Sequence, residues 1–236
     1  MKIGIVCAMQ EEFELISNDI KDKSIIKKLN LEFISGNLNG KKIIGVICGI
    51  GKVNSAICTQ ILISEFKCTH IINSGVAGGI NKNIKFKDVV IANDLIQHDV
   101  NICNFGYKLG EIPNIGTYSF KCDGYLVELA KSICEDISKN KADFKFHIGR
   151  IITGDQFISN DEISNKLQNE FNALACEMES AAIAQTCYLN NIPYIIIRSI
   201  SDNGGNIAGD EFYKFLKDAS KNSYLILKQI ISRMEK

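Results

Sequence analysis

Two carboxylates stand inside an otherwise small and apolar stretch, "LACEMESAAIA", at Glu177 and Glu179. Burial of an unpaired charge costs free energy, so such groups usually shift their pKa or have dedicated partners. One interpretation is structural: both lie at the start of a helix, where the positive end of the helix dipole stabilises each by about 0.3–1 kcal/mol. The other interpretation is a functional site that needs negative charge. The local pattern alone does not separate the two.

Two glycine-rich segments also suggest ligand chemistry. The first, "GIGK", is similar to a phosphate-binding loop, but Val46 and Val53 stand where that motif needs a glycine and a hydroxyl residue. A dinucleotide fingerprint fails as well, because Asn54 replaces its third glycine. A tight turn from strand to helix is the favoured interpretation of "GIGK". The second, "NSGVAGG", lets the backbone approach either a packing partner or a ligand. Only three histidines occur and none is clustered with cysteines, so we expect no metal ion and no cofactor.

The composition restricts the class of protein. The chain has 236 residues and a net charge of zero, which argues against nucleic-acid and anionic-membrane partners. No apolar run reaches the roughly 18 residues that span a bilayer. Nine cysteines are scattered without a C-x-x-C motif, and the first residues are typical of a strand and not of a secretion signal. We therefore expect a cytoplasmic protein with reduced thiols.

Short apolar runs alternate with amphipathic segments along the chain. The runs "KIGIVCAM", "CTHIINSGVAGGI" and "IPYIIIRSISD" are typical of strands covered on both faces. Asn39-Gly40 between two such runs predicts a hairpin. The pattern predicts an α/β fold: a three-layer sandwich with a central mixed, mostly parallel twisted sheet, and ligand chemistry at the carboxyl ends of its strands. No linker or repeat is visible, so we expect one domain over residues 1–236.

Four motifs, each at the end of a predicted strand, together carry a family resemblance. They are "GIVCAMQEE", "NSGVAGG", "CEMESAAIA" and "RSISD", and "CGIGKV", "FGY" and "TGDQFI" add to them. In this order they resemble the nucleosidase branch of the purine nucleoside phosphorylase superfamily, in particular the bacterial 5′-methylthioadenosine/S-adenosylhomocysteine nucleosidases. The resemblance covers almost the whole chain. It implies hydrolysis of an N-glycosidic bond, which releases adenine from a 5′-thio-ribose.

The resemblance assigns acid–base roles to two carboxyl groups. Glu12 occupies the position of the general base that activates water, and Asp202 that of the acid that protonates N7 of the purine, with Ser201 supporting it. An acid in that role needs a raised pKa, which burial supplies. The alternative structural roles are a charge at a helix start for Glu12, which Glu11 and Glu14 could serve equally, and a helix cap for Asp202.

The resemblance also answers the question raised by the two buried carboxylates. Glu179 matches the glutamate that binds the ribose 2′- and 3′-hydroxyls, Met178 packs on the sugar, and Glu177 orders the loop. Arg198 is expected to join the catalytic group through Glu12 or Glu179, because a buried arginine needs a carboxylate partner. Phe157 matches the aromatic that stacks on adenine, with core packing as its alternative role. The complete set of predicted substrate-binding residues is Met9, Ile50, Ala77, Gly78, Phe157, Ile158, Glu177, Met178, Glu179 and Ser201.

In this family a neighbouring subunit completes the pocket for the 5′-substituent. Phe105, Tyr107 and Pro113 match that region, which implies a homodimer, although an exposed surface loop is an alternative role for this segment. Two residues depart from the family pattern at positions where we expect an effect on substrate binding. Val76 replaces a serine that is common in the family, and Gly209 stands where the family often places an aromatic residue.

Other functions compete with hydrolysis of these thio-nucleosides. A purine nucleoside phosphorylase would need arginines around its phosphate, yet the first strand-end loop is acidic and no arginine precedes Arg150. A hydrolase of a futalosine-type nucleoside is harder to exclude. A non-catalytic nucleoside binder is disfavoured because it needs no base such as Glu12 to activate water.

Overall fold

The computed structural model describes residues 1–139, 143–205 and 208–235, and it has a mixed α/β architecture. Strands and helices alternate through most of the chain, as the sequence predicts. The helices are α1 Gln10–Asp19, α2 Lys52–Ser64, α3 Gly124–Lys139, α4 Asp161–Phe171, α5 Ser180–Asn190 and α6 Ala208–Arg233. The strands are β1 Lys2–Cys7, β2 Lys21–Lys28, β3 Leu31–Leu38, β4 Lys41–Ile47, β5 His70–Gly79, β6 Val89–Gln97, β7 Phe120–Lys121, β8 Phe146–Thr153, β9 Ala175–Glu177 and β10 Tyr194–Asp202.

The central sheet closes on itself at one end. Strands β5, β10, β6, β8 and β9 pair in turn, and β9 pairs back onto β5, so these strands form a small barrel. Strands β1, β4, β3 and β2 extend from β5 as an open sheet. The mixed sheet is confirmed, but the predicted plain three-layer sandwich is wrong for the barrel end. Closure depends on pairings between strands far apart in sequence, which hydrophobic periodicity does not report.

Strand β5 belongs to both parts of the sheet. Along one edge it pairs with β1 through His70–Asn73 and then with β9 through Gly78 and Gly79. Along the other edge it pairs with β10 in parallel from Ile71 to Gly78. The apolar first half of β5 thus lies in the open sheet, and the glycine-rich second half helps to close the barrel.

Local sequence explains where several elements turn, begin and end. Asn39 and Gly40 both have positive φ, which is the backbone of the tight hairpin that the sequence predicts between β3 and β4. The sequence analysis predicts no element for β2 or α4. Strand β2 is almost wholly exposed and rich in lysine, as edge strands often are, so it lacks an apolar alternation. Helix α4 begins after Asn160, whose side chain accepts the N–H of Ile163.

The carboxyl ends of several strands meet at one place in the molecule. Strands β1, β4, β5 and β10 are parallel to one another, while β8 and β9 are parallel to each other and antiparallel to β5, and all six end there. Buried Ile and Val side chains pack these strands against the flanking helices. In the part of the chain that the structure describes, no helix has the length and apolar character that crossing a membrane requires.

Candidate active site

A cavity of about 610 Å³ of empty space, part of it open to solvent, lies at these strand ends. The structure brings all predicted substrate-binding residues into its wall, together with the predicted acid and base. These are Met9, Glu12, Ile50, Ala77, Gly78, Phe157, Ile158, Glu177, Met178, Glu179, Ser201 and Asp202.

Arg198 lies behind this wall, at the centre of three carboxylates. Its Nη2 atom is 2.5 Å from Oε2 of Glu177 and 3.5 Å from Oε2 of Glu179, and its Nη1 atom is 3.6 Å from Oε1 of Glu12. Burial alone would lower the pKa of the guanidinium, but the three carboxylates raise it above its usual value. The sequence predicts Glu12 or Glu179 as the partner of Arg198, whereas the shortest contact is with Glu177.

Arg198 also makes hydrogen bonds to uncharged groups, and these fix its orientation. Its Nε donates to Oγ of Ser180 at 3.1 Å and its Nη2 donates to Oδ1 of Asn73 at 2.9 Å. Its Nη1 donates to the carbonyl oxygen of Val76 at 3.2 Å. Arg198 is predicted as a catalytic residue; in the structure its guanidinium contacts the three carboxylates and does not line the cavity.

Glu177 binds the start of helix α5. Its carboxylate accepts the N–H groups of Glu179 and Ser180, the hydroxyl of Ser180 and that of Thr153. Such hydrogen bonds satisfy donors that a helix start otherwise leaves unpaired. The structural interpretation of the two buried carboxylates, a helix start, therefore describes Glu177.

Glu179 has a different environment from Glu177. Its side chain lines the cavity, and its Oε1 accepts the N–H of Gly51 at 2.9 Å. Burial, and next the negative charge of Glu177, raise the pKa of Glu179 well above its ordinary value, although Arg198 opposes the shift. A buried carboxylate at a cavity wall, with few donors of its own, suits a ligand that brings hydroxyl groups.

Glu12 lies in the first turn of α1 and is almost completely buried. Its Oε2 accepts the N–H groups of Ala8 and Met9 at 2.8 and 3.0 Å, and its Oε1 accepts the N–H of Val76 at 2.9 Å. Burial raises the pKa of Glu12, although Arg198 and these backbone groups oppose the shift. Its orientation is thus fixed, and its raised pKa makes it a better proton acceptor than a free carboxylate.

Gly75 permits the close approach of Glu12 and Arg198. A Cβ atom at position 75 would lie 2.2 Å from Oε1 of Glu12 and 2.4 Å from Nη1 of Arg198. Any side chain there would separate the two groups. At Gly75 the "NSGVAGG" segment thus lets the backbone approach protein side chains closely, which is the packing role of the two that the sequence allows.

Asp202 also lines the cavity wall, at the end of β10. Its Oδ1 accepts the N–H of Gly204 at 2.8 Å, and its Oδ2 accepts the hydroxyl of Ser201 at 3.0 Å. The hydroxyl of Ser201 therefore orients the Asp202 carboxyl, which the resemblance implies.

Two aromatic residues stand at the cavity rim. Phe157 is 49% exposed, and its ring meets the ring of Phe212 edge to face, with centroids 5.8 Å apart. A ring exposed to that degree at a cavity is not core packing. Gly209, the departure noted in the sequence, lies in the first turn of α6, and Phe212 in the next turn supplies an aromatic side chain. Part of the loop before α6, Asn206 and Ile207, lies outside the described residues.

Val76, the second departure, contributes apolar surface. Its side chain packs with Leu216 and Ala219 of α6, while Met9 and Phe212 lie beside this cluster. The backbone of Val76 still donates to Glu12 and accepts from Arg198. The cavity wall next to Glu12 is therefore partly apolar at this position.

The sequence analysis assigns no site role to several other residues that line the cavity. Most of them are neighbours in sequence of predicted site residues, which is the signal that could have found them. They are Ala8, Gln156, Cys176, Gly204 and Phe212. Cys176 also contacts a buried histidine, with its Sγ 3.7 Å from Nε2 of His98.

The structure does not bring Phe105, Tyr107 and Pro113 into the cavity of their own chain. They lie in the irregular segment between β6 and β7, where a 3₁₀ turn spans Cys103–Phe105 and the Phe105 side chain is 81% exposed. The sequence analysis links them to a pocket shared between subunits, and that expectation stays a prediction.

Comparison with known proteins gives one consistent result. Residues 2–232 match the sequence profile of the Phosphorylase superfamily. A 5′-methylthioadenosine/S-adenosylhomocysteine nucleosidase from Exiguobacterium sp. is 38% identical over 236 residues, which cover 100% of this chain and 99% of that protein. The crystal structure of the nucleosidase of this name from Neisseria meningitidis, in complex with methylthio-immucillin-A, has a TM-score of 0.93 and 34% identity, covering 99% of each chain. The S-adenosylhomocysteine nucleosidase from Streptococcus pyogenes, in complex with 5-methylthiotubericidin, has a TM-score of 0.94 and 33% identity, covering 100% of this chain and 98% of that one.

Proposed function

Because the chain belongs to the phosphorylase superfamily and, within it, to the 5′-methylthioadenosine/S-adenosylhomocysteine nucleosidases, we propose that it hydrolyses the N-glycosidic bond of these two nucleosides. The products are adenine and a 5′-thio-ribose. The observation that carries the proposal is the arrangement of Glu12, Glu179 and Asp202 around one cavity.

The proposed mechanism uses Glu12 and Asp202 as a base and an acid. Glu12 takes a proton from a water molecule, which attacks C1′ of the ribose while the bond from C1′ to N9 breaks. Asp202 gives a proton to N7, so that adenine leaves as a neutral base. Ser201 orients the Asp202 carboxyl through the hydrogen bond described above. Each proton that the water loses or the purine gains thus has a named donor or acceptor.

The ribose is proposed to lie against Glu179 and Met178, with adenine between Phe157 and the backbone of Ile158. The ribose gains positive charge as the bond to adenine breaks, and the carboxylates of Glu12 and Glu179 favour that charge more in the transition state than in the ground state. Arg198 and Glu177 act behind them: the arginine pairs with the carboxylates and fixes their positions, and Glu177 anchors α5.

The charge of the site favours water over phosphate as the nucleophile. Three carboxylates surround Arg198, and its N–H groups are already bound to Glu177, Asn73, Ser180 and Val76. A phosphate ion beside Glu12 would meet negative charge and no free guanidinium at this point. This arrangement supports hydrolysis over the phosphorylase alternative.

The test is base release, measured by chromatography, from methylthioadenosine, S-adenosylhomocysteine, adenosine, inosine and a futalosine-type nucleoside, each with and without phosphate. We expect adenine and a free thio-ribose without phosphate. A strict requirement for phosphate, with a sugar 1-phosphate as product, would instead identify a phosphorylase. Activity on a futalosine-type nucleoside, with none on the thio-nucleosides, would identify the other alternative.

We further propose that the active form is a homodimer, in which Phe105, Tyr107 and Pro113 of each chain approach the partner's cavity. An exposed apolar face supports this: Val53 and Ile57 of α2 are 68% and 44% exposed. Helix α2 packs on α5, where Leu189 is 62% exposed. Sedimentation of the wild type and of Ile57→Lys tests the proposal, and a monomeric wild type would refute it.

Two other expectations remain proposals. One nucleosidase domain covers residues 1–236, and the chain works in the cytoplasm. All nine cysteines are free thiols, which suits a reducing compartment.

A further inference from the structure

Lys52, Asp99 and Asp155 form a closed ring of hydrogen bonds beside the cavity. The Nζ of Lys52 donates to Oδ1 of Asp99 at 2.6 Å, and the N–H of Asp155 donates to Oδ2 of Asp99 at 3.0 Å. The backbone N–H of Lys52 donates to Oδ1 of Asp155 at 2.8 Å. Each of the three residues therefore contacts the other two. The ring also shows what the lysine of "GIGK" does: its ammonium is bound to a carboxylate.

The ring joins two segments that line different parts of the cavity. Lys52 begins α2, directly after Ile50, which lines the cavity, and Gly51, whose N–H binds the carboxylate of Glu179. Asp155 directly precedes Gln156, Phe157 and Ile158, which also line it. We call residues 50–52 together with Glu179 the ribose wall, and we call residues 155–158 the base wall. Asp99, at the end of the turn after β6, bridges them.

The ion pair in this ring is unlike the exposed ion pairs of this molecule. The side chains of Lys52 and Asp99 are each only 19% exposed, whereas those of Lys27 and Glu32, another pair, are 78% and 58% exposed. Burial alone would raise the pKa of Asp99, but the Lys52 ammonium and the N–H of Asp155 lower it below its ordinary value. Shielded charge-assisted hydrogen bonds fix geometry better than exposed ones, because solvent and salt weaken them less.

We propose that Lys52 and Asp99 are positioning residues that hold the ribose wall and the base wall at the separation a whole nucleoside requires. This inference rests on the proposed function and deepens it. A nucleoside must contact both walls at once, so its binding depends on their relative position. Free adenine contacts the base wall and Asp202 but not the ribose wall, so its binding does not depend on the separation of the two walls. A displacement of about 1 Å between the walls is enough to cost up to about 10²-fold in rate.

The test compares the whole substrate with its fragment in Lys52→Met, a variant that leaves the backbone hydrogen bonds of the ring in place. We expect kcat/KM for methylthioadenosine to fall about tenfold or more, mainly through KM, while the dissociation constant of adenine, measured by calorimetry, changes less than about twofold. Asp99→Asn, which keeps the shape but not the charge of the acceptor, should behave like Lys52→Met. Lys52→Arg should recover most of the affinity for the nucleoside.

Lys228→Met is the matched control, because Lys228 forms an ion pair with Asp19 far from the cavity. Lys228→Met should leave the affinity for methylthioadenosine and the affinity for adenine unchanged. Equal weakening of methylthioadenosine and adenine in Lys52→Met would overturn the proposal, because the ring would then support only the base wall. Unchanged binding of both would also overturn it. Failure of the proposed function is separate, since it would appear as a wild type that does not release adenine from methylthioadenosine.

Discussion

Replacement of Arg198 by methionine should destabilise the protein, and the loss should depend on pH. Methionine fills much of the same volume, but it leaves the carboxylates of Glu12, Glu177 and Glu179 buried without their common cation. Removal of one partner from a buried ion pair typically costs about 3–5 kcal/mol. We expect a loss in this range near neutral pH, in the free energy of unfolding by urea under reducing conditions.

The sign of the pH dependence follows from the raised pKa values of Glu12 and Glu179. A carboxyl group whose pKa is higher in the folded protein than its ordinary value of 4.5 binds protons more tightly when folded. Its contribution to stability is fully present below that ordinary value and is lost as the pH rises through the folded-state pKa. Without Arg198 these pKa values rise further, and each added unit costs about 1.4 kcal/mol at high pH. The destabilisation by Arg198→Met should therefore be larger at about pH 8 than at about pH 5.

A matched control separates this effect from the general loss of an arginine. Arg150 forms a close pair with Asp94, with Nη2 and Oδ2 2.6 Å apart, but the two side chains are 27% and 14% exposed. Arg150→Met should cost less and depend less on pH over the same range. Addition of Glu177→Gln to Arg198→Met should recover part of the lost stability, because it removes the closest uncompensated charge. Equal losses for Arg198→Met at both pH values, or a loss below about 1 kcal/mol, would refute this account of the cluster.

The remaining predictions concern catalysis and one buried hydroxyl. Glu12→Gln and Asp202→Asn should each lower kcat for methylthioadenosine by about 10²-fold or more, with folding checked by circular dichroism; near-normal rates in both would contradict the mechanism. In the wild type, kcat/KM should decrease as the pH falls through the raised pKa of Glu12, because the base must be deprotonated to accept a proton; a flat acidic profile would argue against this base. Phe212→Ala should raise KM more than it lowers kcat if the ring beside Phe157 binds the ligand in its ground state, and equal kcat and KM for variant and wild type would exclude that. The hydroxyl of the buried Tyr194 has no hydrogen-bond partner among the described residues, so Tyr194→Phe should leave the unfolding temperature unchanged or raise it; a clear decrease in calorimetry would reveal a missed partner.

The sequence predicts the cavity wall better than it predicts the contacts behind it. Each predicted motif lies at the end of a strand. The parallel strands β1, β5 and β10 bring Glu12, Gly78 and Asp202 to one cavity, and β9, antiparallel to β5, brings Glu179 to the same cavity. The sequence does not identify the carboxylate that makes the shortest contact with Arg198. Glu12, Glu177 and Glu179 all satisfy the need for a carboxylate, and only the start of α5 decides that Glu177 makes the shortest contact.

In the fold as well, features that depend on neighbouring residues are predictable from the sequence, whereas pairings between strands distant in sequence are not. Asn39-Gly40 forms the predicted hairpin because two residues suffice to define that turn. Barrel closure was not predictable in the same way, since β9 has only three residues and pairs with β5 through Gly78 and Gly79. The sequence does not predict Phe212 as a site residue, because its position at the cavity rim depends on where α6 begins relative to Phe157.

The position of Arg198 after all three of its carboxylate partners in the sequence has a consequence for synthesis on the ribosome. The arginine contacts the carbonyl oxygen of Val76, which is 122 residues earlier, and it lies in β10, which closes the barrel. All three carboxylates leave the ribosome before their cation does, and the edge of β5 that pairs with β10 stays open until β10 follows. A nascent chain that ends before β10 therefore has an unpaired acidic cluster and an open strand edge. We expect the protein to fold to its native structure in one step, only after β10 has been synthesised. An incomplete chain then does not acquire a partly working site.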